Sequence, residues 1–275
     1  MKQNPEINSK NIIEEITNKT KRHDYEPKYL VEFTINHCHV LIYINDMLAY
    51  KYMDGDGGST GEEISALLLS NKDQKLKVVC LPIKQRLDYN SGIDIEIGSY
   101  DNRNRFAIEK QQDNIFAYGT PKGDKVSGKE YFEETITFNL PNVPYKIDGR
   151  RESQDLRNFD KKILEERVLQ AYKMIEKAFK EKDLDKIAQF SYNKIRDQTV
   201  SQYFDKDEVQ EGWDELASIA GAESLEFFPL EDYELVFYGD GKLVGLKSKK
   251  KEKGFREASA LLCKYKKEGN WTGAE

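Results

Sequence analysis

Three consecutive side chains, His37, Cys38 and His39, form the first place where this sequence offers groups suited to chemistry. Residues i and i+2 of a strand share a face, so two imidazoles at that spacing can hold one metal ion, and a thiol beside a base is a nucleophile in outline. Both readings meet the same geometric objection. Asn36-His37 is turn chemistry, which takes His37 off the strand face, and neighbouring strand residues point to opposite faces, which separates Cys38 from either imidazole. The third histidine, His23, lies in a polar stretch. Cys38 is therefore expected in the core, with no metal and no cofactor.

A second group of oxygen donors, Asp54, Asp56, Glu62 and Glu63, flanks a run with four glycines between Asp54 and Gly61. The ligand order of a helix-loop-helix calcium site fails here, because Gly58 and Ser59 occupy ligand and glycine positions. A phosphate-cradling loop also fails, since the run lacks both the Gly-Lys-Ser/Thr ending and the spacing of a dinucleotide fingerprint. A solvated loop is expected from Asp54 to Gly61, because glycine there permits repeated positive φ.

Charge is more informative. From Asp205 to Glu234 there are eleven acidic residues against Lys206 alone, a net charge of −10. From Lys247 to Lys267 there are nine basic and two acidic residues, a net charge of +7. An acidic helix face carrying Asp207, Glu208, Glu211, Asp214 and Glu215 would attract a basic protein, a nuclease toxin domain for example, by imitating phosphate and steering the encounter. The plainer alternative is that the two segments solvate the fold and neutralise each other. Nucleic acid is not the expected partner, because the chain has a net charge of −6 and is acidic in both halves.

An enzyme would need a different place. The C-terminal half holds Tyr172, Phe190, Tyr192, Trp213, Tyr233 and Tyr238, which can line a substrate pocket with a perturbed carboxylate as base. The same aromatics equally make a core. All three histidines lie in the other half, so a histidine-assisted mechanism here is not expected.

The elements that must position these groups follow from hydrophobic period. From Tyr29 onward the chain is dense in β-branched and aromatic residues, with turn signals at Asn36-His37 and Asn45-Asp46. This predicts three meander strands over about 29 to 35, 39 to 44 and 47 to 53. Further strands are predicted over Lys75 to Pro82, Ile93 to Ile97, Phe106 to Glu109, Asn114 to Tyr118 and Tyr131 to Leu140, and together they suggest an antiparallel β-sandwich. Pro141, Pro144 and Gly149 end the strand pattern near residue 150. The expected domains are thus 1–150, with residues 1–27 a polar N-terminal segment, and 151–275.

After Asp160, a good N-cap, Leu164, Val168, Ala171, Tyr172, Ile175 and Phe179 recur at spacings of three and four and predict a helix. A break at Asp183 precedes a second helical pattern that runs toward Phe204, and a third helix is predicted over about 206 to 219. Strands follow at Tyr233 to Tyr238, at Lys242 to Leu246 across a Gly239-Asp240-Gly241 turn, and at Ala258 to Lys266. Helices first and antiparallel strands after them define an α+β class.

Composition agrees with a folded, water-facing protein: 38% of residues are hydrophobic, 33% are charged, and mean hydropathy is −0.76. No apolar run approaches the ~18 residues a membrane helix needs, and the first 26 residues lack a secretory h-region. Three separated cysteines suit reduced, buried thiols. A cytoplasmic location is expected.

The leading helix, the Asp183-Leu184 break, the further helices and the terminal strands resemble the NTF2-like, cone-shaped α+β fold. The whole chain is similar to uncharacterised bacterial two-domain proteins, some of them immunity proteins of toxin systems, through Ile44-Asn45-Asp46, Pro144-Tyr145 and Tyr238-Gly239-Asp240-Gly241-Lys242. One departure is the ending at Trp271-Thr-Gly-Ala-Glu275, where an NTF2-like sheet is expected to continue into a long strand. The resemblance implies a non-enzymatic antagonist that binds and blocks a bacterial toxin, and it carries over no catalytic residue. Two other readings stay open: a small-molecule-binding protein or enzyme using a C-terminal pocket, and a scaffold or carbohydrate- or protein-binding β-sandwich using loops such as Asp54 to Gly61.

Overall fold

The computed structural model describes residues 4–104, 113–147, 153–252 and 254–274. The chain divides into two compact units, Arg22–Arg151 and a second made of Met1–Lys21 with Glu152–Glu275. The class is α+β, with the larger sheets in the N-terminal part and three long helices in the C-terminal part.

The unit Arg22–Arg151 contains β1 (Pro27–Asn36), β2 (His39–Ile44), β3 (Met47–Tyr52), β4 (Gly57–Glu63), β5 (Gln74–Leu81), β6 (Gly92–Asp101), β7 (Asp113–Gly119) and β8 (Phe132–Phe138). They form two antiparallel four-stranded sheets, ordered β4-β1-β6-β7 and β3-β2-β5-β8. Strand alternation decides what each buries. Val31, Phe33 and Ile35 of β1 lie opposite Ile97, Ile95 and Ile93 of β6, and Val40, Ile42 and Ile44 of β2 lie opposite Cys80, Val78 and Leu76 of β5. All twelve side chains belong to one buried cluster, so both sheets close on a shared apolar core. Such directly opposed apolar pairs also fix register, since a slip of one residue would turn every one of them outward.

Two expectations change here. The first three strands are not a meander: β1 pairs with β4 and β6, whereas β2 pairs with β3 and β5. The turn chemistry at Asn36-His37 carries the chain from one sheet to the other, with His37 in the left-handed region at φ 49°. The second turn is a true hairpin, in which Asn45 and Asp46 both have positive φ (51° and 66°), as a two-residue loop of the first primed type requires.

The glycine-rich run is the other change. Gly57–Glu63 is an edge strand paired along its whole length with β1, from Asn36 opposite Gly57 to Leu30 opposite Glu63. A Cβ on Gly57 would sit 2.7 Å from the Ile35 carbonyl oxygen, so glycine there permits a close backbone approach. The strand expected at Phe106 to Glu109 lies outside the described residues.

In the second unit, α2 (Lys161–Lys180), α3 (Leu184–Gln202) and α4 (Lys206–Gly221) begin at caps of the same kind. Asp160 accepts a hydrogen bond from the Ile163 amide, Asp183 from the Lys186 amide, and Asp205 from the Asp207 and Glu208 amides. Each satisfies a donor that the first helical turn leaves free. Then come β9 (Leu225–Phe227), β10 (Tyr233–Tyr238), β11 (Leu243–Ser248), β12 (Cys263–Lys267) and β13 (Asn270–Ala274). They pair as β13-β12-β9 and β10-β11, and a bridge between Lys247 and Ser259 links β11 to the residues before β12. Neither β9 nor the terminal β13 is predicted from the sequence pattern.

The polar N-terminal segment is assigned differently from the sequence expectation, which placed it with the first domain. It contains α1 (Ile12–Thr17), and Ile7, Ile12 and Ile16 are buried beside Ile187, Ala188, Tyr192, Val209 and Trp213 of the second unit. Ser9 Oγ donates to Asp185 at 2.7 Å, and Asn4 Nδ2 donates to the Gln189 carbonyl at 3.0 Å.

Candidate protein-binding face

Helix α4 separates its two faces cleanly. Val209, Trp213 and Ala220 are buried in the helical cluster, with Leu216 and Ala217 packed against it. At about 100° per residue, Asp207, Glu208, Glu211, Asp214 and Glu215 fall within an arc of about 120° on the other side. Asp207, Glu211, Asp214 and Glu215 are exposed, and Glu208 is partly covered. All five predicted residues therefore share one face.

Their roles differ. Asp205 and Glu208 form a reciprocal capping box, in which Glu208 Oε2 accepts from the Asp205 amide at 2.8 Å while Asp205 Oδ1 accepts from Glu208 at 3.0 Å. Glu208 thus has a local structural task, and Asp207 gains from the positive end of the helix. Glu211, Asp214 and Glu215 stand beyond the first turn. Glu211 has Asp207 and Glu215 four residues away on either side, and each such like-charge pair costs about 0.2–0.5 kcal/mol. Asp214 accepts a hydrogen bond from Gln210 at 2.8 Å.

The basic segment neutralises only part of the acidic one. Lys264 lies 2.7 Å from Glu226, Lys247 lies 3.3 Å from Glu234, and Lys250 lies 3.7 Å from Glu231. These pairs serve the sheet half of the acidic run. Among the described residues, no ion pair reaches Asp207, Glu211, Asp214 or Glu215. Mutual neutralisation therefore describes residues 226–234 and does not extend to the helix.

The other candidate groups are placed apart. Cys38 is fully buried with its thiol 3.6 Å from the Gly92 carbonyl oxygen, and His37 Nδ1 is 3.2 Å from Asp88 Oδ2 at the surface. Cys80 and Cys263 are also buried free thiols. Glu62 and Glu63, whose carboxyls burial pushes up, belong to β4 rather than to the C-terminal aromatics. Of those aromatics, Tyr192 and Trp213 sit in the helical cluster, while Tyr172 and Tyr233 pack on Leu235 and Leu246. Tyr172 and Phe190 also line a cavity, together with Phe179, Leu216 and Phe227. The sequence pattern did not mark the last three as lining residues, because their helical and strand periods equally suit a filled core.

The outer face of the β4-β1-β6-β7 sheet is a broad hollow of about 810 Å3. Its carboxylates have local partners: Asp94 pairs with Lys122 at 2.6 Å and Glu96 accepts from Asn114 at 3.2 Å. No helix among the described residues is long and apolar enough to cross a membrane. Compared with protein-family models, curated proteins and solved structures, the chain matches none.

Proposed function

We propose that this chain is a non-enzymatic protein-binding module, an immunity-type antagonist that occludes a basic bacterial toxin domain, and that the acidic face of α4 makes the contact. The same reading takes the N-terminal unit as a β-sandwich and the C-terminal unit as an NTF2-like cone. The observation that supports it is the division within the acidic run: Glu226, Glu231 and Glu234 are paired with lysines, while Asp207, Glu211, Asp214 and Glu215 face solvent and, among the described residues, no ion pair reaches them. Beyond Asp207, which the helix N-terminus favours, local helix energetics does not favour that stripe, since its like charges repel at helical spacing. Gly212, exposed beside it, adds to the case. Nothing lies within 4 Å of where its Cβ would be, so no packing explains a mid-helix glycine that costs about 1 kcal/mol relative to alanine.

An unneutralised stripe of carboxylates raises the encounter rate of a basic partner by about 10- to 1,000-fold and lowers its escape before docking. The test is association kinetics with the partner captured from the native cells. The variant reverses Asp207, Glu211, Asp214 and Glu215 to lysine and leaves Glu208 in place to keep the capping box. The association rate is expected to fall by at least about ten-fold at low salt, and its dependence on salt to flatten. An unchanged rate and salt slope would remove this face from the binding reaction.

A further inference from the structure

A cavity in the C-terminal unit is lined by residues other than those of the acidic stripe. It has a volume of about 280 Å3 and is walled by α2, α3, α4 and the strands β9, β12 and β13. Phe179, Phe190, Leu216, Phe227 and Leu261 line it and are only half-buried. Phe179 and Phe227 brace one wall edge to face, with ring centroids 6.4 Å apart.

The polar groups around this apolar space have one character. Ser191 and Lys194 stand one turn apart on α3, Ser259 precedes β12, and Tyr172 lines the wall from α2. Tyr172 Oη accepts a hydrogen bond from the Leu246 amide at 3.1 Å, and among the described residues its own proton has no acceptor. Neither the Ser191 hydroxyl nor the Lys194 ammonium is engaged by another described side chain or carbonyl. No acidic residue lines the cavity. The site therefore offers one positive charge and no negative one at the border of an apolar space, which favours an anionic head group over a cationic one.

We propose that this cavity binds a small amphipathic carboxylate, with its apolar body among Phe179, Phe190, Leu216 and Phe227 and its carboxylate on Lys194 and Ser191. The volume sets the size. At about 280 Å3 it lies at the small end of ligand pockets, which suits a ligand of about ten non-hydrogen atoms. Octanoate has that size and serves as the probe.

The experiment is a calorimetric titration of the full chain with octanoate, octylammonium and octanol. Octanoate is expected to bind saturably and at least about ten-fold more tightly than either of the others, the difference a charge-assisted hydrogen bond supplies. Lys194→Met should weaken octanoate about ten-fold and leave octanol unchanged. Ser191→Phe, which fills the chamber, should abolish both. Lys194 is exposed, so its substitution leaves the core intact and decides the matter even where Ser191→Phe disturbs folding. Absence of saturable octanoate binding, equal binding of octylammonium or octanol, or wild-type octanoate affinity in Lys194→Met would each overturn the assignment.

Discussion

Glu63 shows how one side chain can couple this fold to pH. It ends β4 opposite Leu30, with Oε2 3.7 Å from Lys28 Nζ, while Oε1 is buried and has no hydrogen-bond partner among the described residues. Burial pushes its pKa up, against the opposing pull of Lys28. A carboxyl raised in this way binds more protons folded than unfolded. Its contribution to stability is therefore fully present below the ordinary glutamate value of about 4.3 and is lost as pH rises through the folded value. Glu63→Gln cannot titrate. The unfolding free energy of the wild type minus that of Glu63→Gln, from urea titrations, should fall as pH is raised from about 4 to about 7. A difference that is flat or grows with pH would mean that the Lys28 ion pair outweighs desolvation. At this scale residue types were legible and environments were not. The five acids of α4 were readable as a stripe, but which acids of the run are paired depends on where a distant strand places its lysines, and among the described residues those pairs go to Glu226, Glu231 and Glu234.

Among the elements, those with a strong intrinsic period were readable. Leu164 through Phe179 announce α2, Asp160 is the N-cap its sequence position suggests, and the break expected at Asp183 is where that residue caps α3. The misread elements owe their form to tertiary contacts. Four glycines argue for a loop, yet β4 exists because β1 offers a complete row of backbone partners and Gly57 fits against Ile35. Helix α1 has six residues, too few to hold a helix alone, and its buried Ile12 and Ile16 are set in a polar stretch. Its stability must come from what it covers. Ile16 is fully buried in the cluster that contains Trp213, so Ile16→Ala should cost about 2–4 kcal/mol. The change is measured as a lower midpoint of the denaturant transition followed by helical circular dichroism. A loss below about 0.5 kcal/mol, the range of ordinary surface substitutions, would mean that α1 is not part of that core.

For the molecule as a whole, the expected junction near residue 150 rests on Pro141, Pro144 and the change of period, and nothing in the sequence pattern suggests that the first 21 residues belong with the unit that begins at Glu152. No local pattern shows that a segment packs beyond a whole intervening unit. The consequence is that the two units should respond differently to cutting the chain. Residues 22–151 retain the shared core of both sheets, whereas residues 152–275 alone lose Ile7, Ile12 and Ile16 from their helical cluster. At about 1.5–3 kcal/mol for each buried side chain, those three represent roughly 5–9 kcal/mol, comparable to the whole stability of a typical domain. The fragment 22–151 should therefore unfold cooperatively on its own, and the fragment 152–275 should show reduced helical circular dichroism and, as the buried Trp213 meets water, red-shifted tryptophan emission. Adding a peptide of residues 1–21 should restore both signals saturably. The same peptide carrying Ile12→Asp and Ile16→Asp should restore neither, because a carboxylate entering that cluster finds no partner there. If residues 152–275 are as helical and as stable without the peptide as within the full chain, the N-terminal segment is a passenger on a unit that folds without it.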